Sequence, residues 1–142
     1  MVTIKAIVSG NVAKNRLLKL SVRKEGLPLL RYATDGFPHF HSTTELESGQ
    51  EVEIKITNKP VWKIEAGESI KAGEAVYGGS EGKVFSRKVG EDYPAQLIGY
   101  AANDAKEGEL VNVVRNFQMN GNWIVKVNDA IGGNEEQEEA EG

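Results

Sequence analysis

The chain has 142 residues, a formal charge of −4 and a pI near 5.3, and it contains no cysteine, which excludes disulfides and thiolate metal sites. The acidic balance argues against a nucleic-acid partner, because a phosphate-backbone binder concentrates lysine and arginine on one face to displace counterions. No apolar run is long enough to span a bilayer as a helix and no signal peptide is evident, so a membrane partner is not expected and the product should be soluble when made.

From the start of the chain, short apolar runs alternate with turn compositions. Val2, Ile4, Val8, Val12, Leu18, Leu20 and Val22 are broken by Ser9-Gly10-Asn11, Lys14-Asn15-Arg16 and Lys24-Glu25-Gly26, which predicts short strands joined by tight turns. Pro28 interrupts Leu27 to Tyr32, so that segment is expected to be an edge strand or an extended loop. Ala33 to Ser48 reads as a long loop. Glu51 to Thr57 alternates strictly, with Val52, Ile54 and Ile56 on one face, as a half-buried strand does. Trp62, Ile64 and Ala66 repeat the pattern, with Gly67 and Gly73 expected where the chain reverses. Leu97 to Ala101, a polar turn over 103–108, and Leu110 to Val114 read as a β-hairpin, and Asn122 to Val127 reads as a closing strand. No sustained helical stripe occurs, so the expected fold is all-β, with a core that includes Ile4, Val52, Ile54, Trp62, Val76, Ile98, Val111, Val113 and Ile124.

The two halves resemble one another. A shift of 58 places Ile4 on Trp62, Val12 on Ile70, Asn15 on Gly73 and Leu18 on Val76, and a shift of 59 places Gly49 on Gly108 and Val52 on Val111. Chance similarity of glycine-turn sequences competes with a true duplication here. The organisation expected is one β-rich domain over 1–131, with pseudo-repeats at 2–60 and 61–116 and a closing strand at 122–127. Residues 132–142 carry five glutamates and no apolar side chain larger than alanine, and should form a disordered acidic tail.

The inventory for chemistry is sparse. His39 and His41 form an H-x-H pair without third and fourth ligands, so no metal is expected. Ser42-Thr43-Thr44 lacks a nucleophile-elbow context, and the glycine-rich Tyr77 to Lys83 runs into a strand where a phosphate loop needs a helix. No catalytic residue, cofactor or enzymatic activity is expected. Phe37 and Phe40 stand in a polar loop beside Pro38, where an aromatic either tucks into the core or anchors a partner. The expected partner contacts are therefore Met1, Val2, Thr3, Ile4 and Lys5, a segment able to add a strand to a neighbouring sheet, together with Phe37 and Phe40.

The motif I-x-A-G-x-x-I-x-A-G-x-x-V over Ile64 to Val76, followed by L-I-G-Y-A over Leu97 to Ala101 and E-G-E-L-V-N-V over Glu107 to Val113, spans 50 residues. It resembles the small head-decoration proteins of tailed bacteriophages. That resemblance implies a compact β-barrel or β-clip domain of β-tulip type, made in the host cytoplasm and carried on the outer surface of the virion capsid. It further implies a homotrimer bound to the major capsid protein lattice that stabilises the shell. The alternative is a β-clip or β-sandwich binding module whose Phe37 to Thr44 loop takes a small molecule or carbohydrate.

Overall fold

The structure is a computed structural model that describes residues 2–34, 37–57, 59–86 and 97–115. The expected closing strand at 122–127, Ile124, Met1 and the acidic segment 132–142 lie outside the described residues.

The described chain is all-β. Its ten strands are β1 (Thr3–Val8), β2 (Leu17–Ser21), β3 (Leu29–Tyr32), β4 (Phe40–His41), β5 (Glu51–Lys55), β6 (Val61–Glu65), β7 (Ala75–Gly78), β8 (Val84–Ser86), β9 (Leu97–Ala101) and β10 (Leu110–Arg115). They form two sheets, ordered β4-β2-β3-β1-β5 and β6-β10-β9-β7-β8.

The sequence repeat is matched at several backbone pairings. In the first unit Val12 and Leu46 exchange backbone hydrogen bonds of 2.9 Å in both directions, and their counterparts Ile70 and Ala105 do the same at 2.8 and 2.9 Å. Ile4 pairs with Ile54 as Trp62 pairs with Val113, and Leu18 pairs with Phe40 as Val76 pairs with Gly99. The turns repeat as well. Asn15 and Gly73 hold φ of 63° and 92°, and Gly49 and Gly108 hold 87° and 89°, the left-handed region that asparagine and glycine tolerate best.

Apolar alternation places the core. Trp62, Ile64, Val76, Ile98, Val111 and Val113 are buried with Leu17 and Ala33 of the first unit in one cluster, so the two units share packing. Ala6, Val8, Val12, Leu18 and Leu30 form the second cluster. Five of the expected core residues (Trp62, Val76, Ile98, Val111 and Val113) are fully inside, whereas Ile4, Val52 and Ile54 are only half-buried, the latter two because β5 is an edge strand. An ion cluster bridges the units: Arg16 donates to Glu65 Oε1 from Nη2 at 3.0 Å and from Nε at 3.3 Å, and Lys83 Nζ lies 3.7 Å from Glu65 Oε2.

Three local expectations are corrected. β3 is an interior strand, not an edge, paired antiparallel to β2 and parallel to β1. Pro28 precedes it by one residue, and the Pro28 carbonyl, which a proline keeps, accepts from Ile7 N–H at 2.9 Å. Gly67 serves a close approach and not a left-handed turn: a Cβ there would meet the Phe85 ring at 2.3 Å. The loop over 33–48 is largely pinned, since it contains β4 and the bridge through Leu46.

Candidate functional site

The repeat makes one difference between the units easy to locate. In the C-terminal unit β9 pairs with β10 through Val113 and Ala101, Val114 and Tyr100, and Arg115 and Gly99. A parallel bridge between Ala66 and Val84 then returns β8 to β6 and closes the ring. In the N-terminal unit the corresponding β1 and β3 are joined, but β4 and β5 are the outer strands of the sheet, and no described strand pairs with their outer edges.

The reason lies in one position. A Cβ on Gly99 would stand 2.0 Å from the Val114 carbonyl oxygen, so the β9–β10 approach requires glycine. The residue that occupies the equivalent position in β4 is Phe40, whose side chain forbids that approach. The seam therefore stays open as a groove of about 520 Å³. Leu18, Leu30, Leu46, Val52 and Ile54 supply its apolar lining, and Phe40 contributes one wall. Lys55 and Lys59 are exposed along it with Glu53, and Arg115 joins them where β10 ends.

One end of the groove is built on Trp62. The His41 ring stacks on the indole at 4.7 Å between centroids with 28° between planes, and the Arg115 guanidinium carbon lies 4.0 Å from the ring centroid. Arg115 also donates to the Lys59 carbonyl at 2.8 Å from Nη1. Burial, with the positive charges of Lys59 and Arg115 adding to it, pushes the His41 imidazole down from 6.5 to about 4. His39 is engaged elsewhere, its Nδ1 accepting from the Leu20 N–H at 3.0 Å. Among the described residues no three metal-ligating side chains converge.

His41 thus makes stability pH-dependent with a definite sign. Its folded value is depressed, so the unfolded chain takes the proton first; the contribution is complete above pH 6.5 and is lost as pH falls from 6.5 towards 4. At 1.36 kcal/mol per pH unit, discounted for a ring that is only half-buried, the loss is on the order of 1–2 kcal/mol. Melting curves from pH 7 to pH 4 should fall more steeply for the native chain than for His41→Asn; parallel curves would exclude this origin.

The residues expected as partner contacts are dispersed. Thr3, Ile4 and Lys5 lie in β1, hydrogen-bonded to β5 on one side, while β3 pairs only with Ile7 and Val8 on the other, leaving the leading half of β1 one edge unpaired by any described strand. Val2 is 65% exposed and Phe37 42% exposed, whereas Phe40 is half-buried in β4 against the core. Residue-by-residue reading missed the cross-strand row of exposed Val61, half-buried Val114 and exposed Tyr100 on the outer face of the C-terminal unit. Their period-two positions opposite Trp62, Val113 and Ala101 were the available signal.

Comparison with known proteins decides what this architecture belongs to. The model of the phage head fibre protein family, described as "Head fiber protein", matches residues 1–140. The chain belongs to the phage head fibre protein family. Among solved structures, the chain is similar to the N base of head fibre gp8.5 of bacteriophage phi29, with a TM-score of 0.72 and 26% identity over 81% of this chain and 93% of that one. The head fibre family makes it a structural protein associated with a phage head, on a fold built from two similar β-units. The head association expected from the Ile64 to Val113 motifs holds at this level, with fibre in place of decoration as the family name.

Proposed function

We propose that the chain attaches to the outer surface of a phage head, binds the major capsid protein lattice as a homotrimer and stabilises the shell. What supports this reading most is the family match over nearly the whole sequence, joined to the likeness to the N base of a head fibre. The described residues suit a purely adhesive role: they offer exposed apolar side chains and an open strand edge rather than a convergent set of reactive groups.

The contact surface proposed is the N-terminal segment Met1 to Lys5 with Phe37 and Phe40. Val2 and Phe37 are exposed, and the leading half of β1 can accept a partner strand through backbone bonds that demand no particular side chain. Because Ile4 is paired with Ile54 and Phe40 supports the core, the informative variant is Val2→Ser with Phe37→Ala, which spares the fold. Occupancy of expanded heads by this double variant should fall about tenfold, the loss of one modest anchor. Undiminished occupancy by a well-folded variant would transfer the contact to the Val61, Val114 and Tyr100 row. The turn over Gly78 to Lys83 is a poorer substitute, because Gly82 is buried so close to the Leu17 backbone that a Cβ there would meet its carbonyl oxygen at 2.6 Å. Light scattering of the free protein tests the trimer; a monomer at all concentrations would confine assembly to the head.

A further inference from the structure

The open seam between β4 and β5 has two edges that no described strand covers, and the chain carries a segment whose pattern fits it. We propose that residues 122–127 of the same chain, Asn-Trp-Ile-Val-Lys-Val, add to the exposed edge of β5 and cover the groove, completing the N-terminal unit. These residues lie outside the described ones; the shape and charge of the groove, together with the sequence, select them. Their place on β5 is independent of where on a head the protein sits.

The backbone of β5 is prepared for a neighbour. At one end of the β1–β5 ladder Ile56 N–H donates to Val2, and at the other Val8 N–H donates to Gln50, each at 2.9 Å. Because antiparallel pairs alternate, the residues that face β1 are Val52, Ile54 and Ile56, and the N–H and C=O groups of Glu53 and Lys55 point the other way. An edge strand with outward amides beside an apolar groove is the geometry of strand addition.

Length, path and charge select the occupant. Six residues of strand span about 20 Å, against about 17 Å for the five residues of β5, so the segment covers the edge without remainder. Arg115, where β10 ends, itself lines the groove, and the six residues 116–121 can bridge at most about 20 Å, enough to bring residue 122 back to the seam. Trp123, Val125 and Val127 fall on one face, suited to Leu46, Val52 and Ile54. Asp129 and the five glutamates of 132–142 follow, and the groove they would border exposes Lys55 and Lys59 against the single carboxylate of Glu53.

The test is residue-resolved amide exchange on the full-length chain, native and carrying Trp123→Asp with Val125→Asp. In the native chain the Glu53 and Lys55 amides should exchange slowly. In the substituted chain they should speed by at least about tenfold while Val111 and Val113 keep their protection, which separates release of the segment from general unfolding. Adding a synthetic peptide of residues 120–131 in excess should restore the slow rates. Fast exchange of both amides in the native chain, or slow exchange that the substitutions leave unchanged, overturns the proposal. Protection that disappears on dilution assigns the groove to a second copy, and protection that arises only on mixing with phage heads assigns it to a partner; either result also overturns occupancy by the chain's own segment.

Discussion

Gly99→Ala should destabilise the protein by about 3 kcal/mol or more, a fall of roughly 10 °C in melting temperature for a chain of this size. The added methyl would meet the Val114 carbonyl oxygen at 2.0 Å and the Arg115 Cα at 3.0 Å, and both are backbone atoms that cannot rotate away. Relief requires β9 and β10 to separate, which sacrifices the pairings of Val113 with Ala101, Val114 with Tyr100 and Arg115 with Gly99. Buried beside them are Ile98 and Ala101, whose packing on Val113 depends on that ladder. A control isolates the cause. Gly108 has φ of 89° and open space around its Cα, so Gly108→Ala carries only the left-handed strain of about 1 kcal/mol. Urea titration of both variants should give the larger drop for Gly99→Ala; equal drops would show that backbone conformation, not the close approach, is what glycine provides at position 99. The expected product of Gly99→Ala resembles the N-terminal unit, where Phe40 already holds the corresponding strands apart.

Much of this architecture was legible because it is written in period-two alternation and glycine turns. Trp62, Ile64, Val76, Val111 and Val113 are buried and alternate with exposed or half-buried residues. The likeness of the two units was visible from Asn15 over Gly73 and Gly49 over Gly108, since a left-handed backbone restricts residue choice whatever the surroundings. What alternation does not encode is which strands meet. The interior place of β3 was hidden by Pro28, whose missing N–H matters only inside a ladder, and here it contributes a carbonyl just outside one. The groove was hidden for a similar reason: its existence depends on a contrast between Phe40 and Gly99, two residues that become comparable only when the repeat is taken as a register of bonds. Phe37 and Phe40, both expected as partner contacts, differ in burial, because Phe40 falls in β4 beside Leu18 while Phe37 stays three residues outside and is exposed. The H-x-H spacing of His39 and His41 did not disclose what either imidazole does: one accepts from a backbone amide and the other stacks on an indole face.

Trp62→Ala is expected to have the other large effect, a loss of about 3–5 kcal/mol by analogy with buried aromatic truncations. The indole is 5% exposed, belongs to the core of the C-terminal unit and reaches the groove of the N-terminal unit, so its removal opens a cavity at their junction. It also takes away the surface on which the His41 ring stacks and over which the Arg115 guanidinium lies. A second consequence distinguishes this junction from ordinary core packing. Water admitted beside His41 relieves the burial that is the largest cause of its low value of about 4, so the imidazole should titrate nearer 6.5 in the variant. The pH dependence of unfolding between 6.5 and 4 should then flatten in Trp62→Ala, while Trp62→Phe, which keeps a flat apolar ring under His41, should lose less stability and keep most of the slope. Chemical-shift titration of His41 in the two folded variants measures this directly. An unchanged His41 titration in Trp62→Ala would mean that the imidazole is shielded by the rest of the groove and that the indole contributes packing alone.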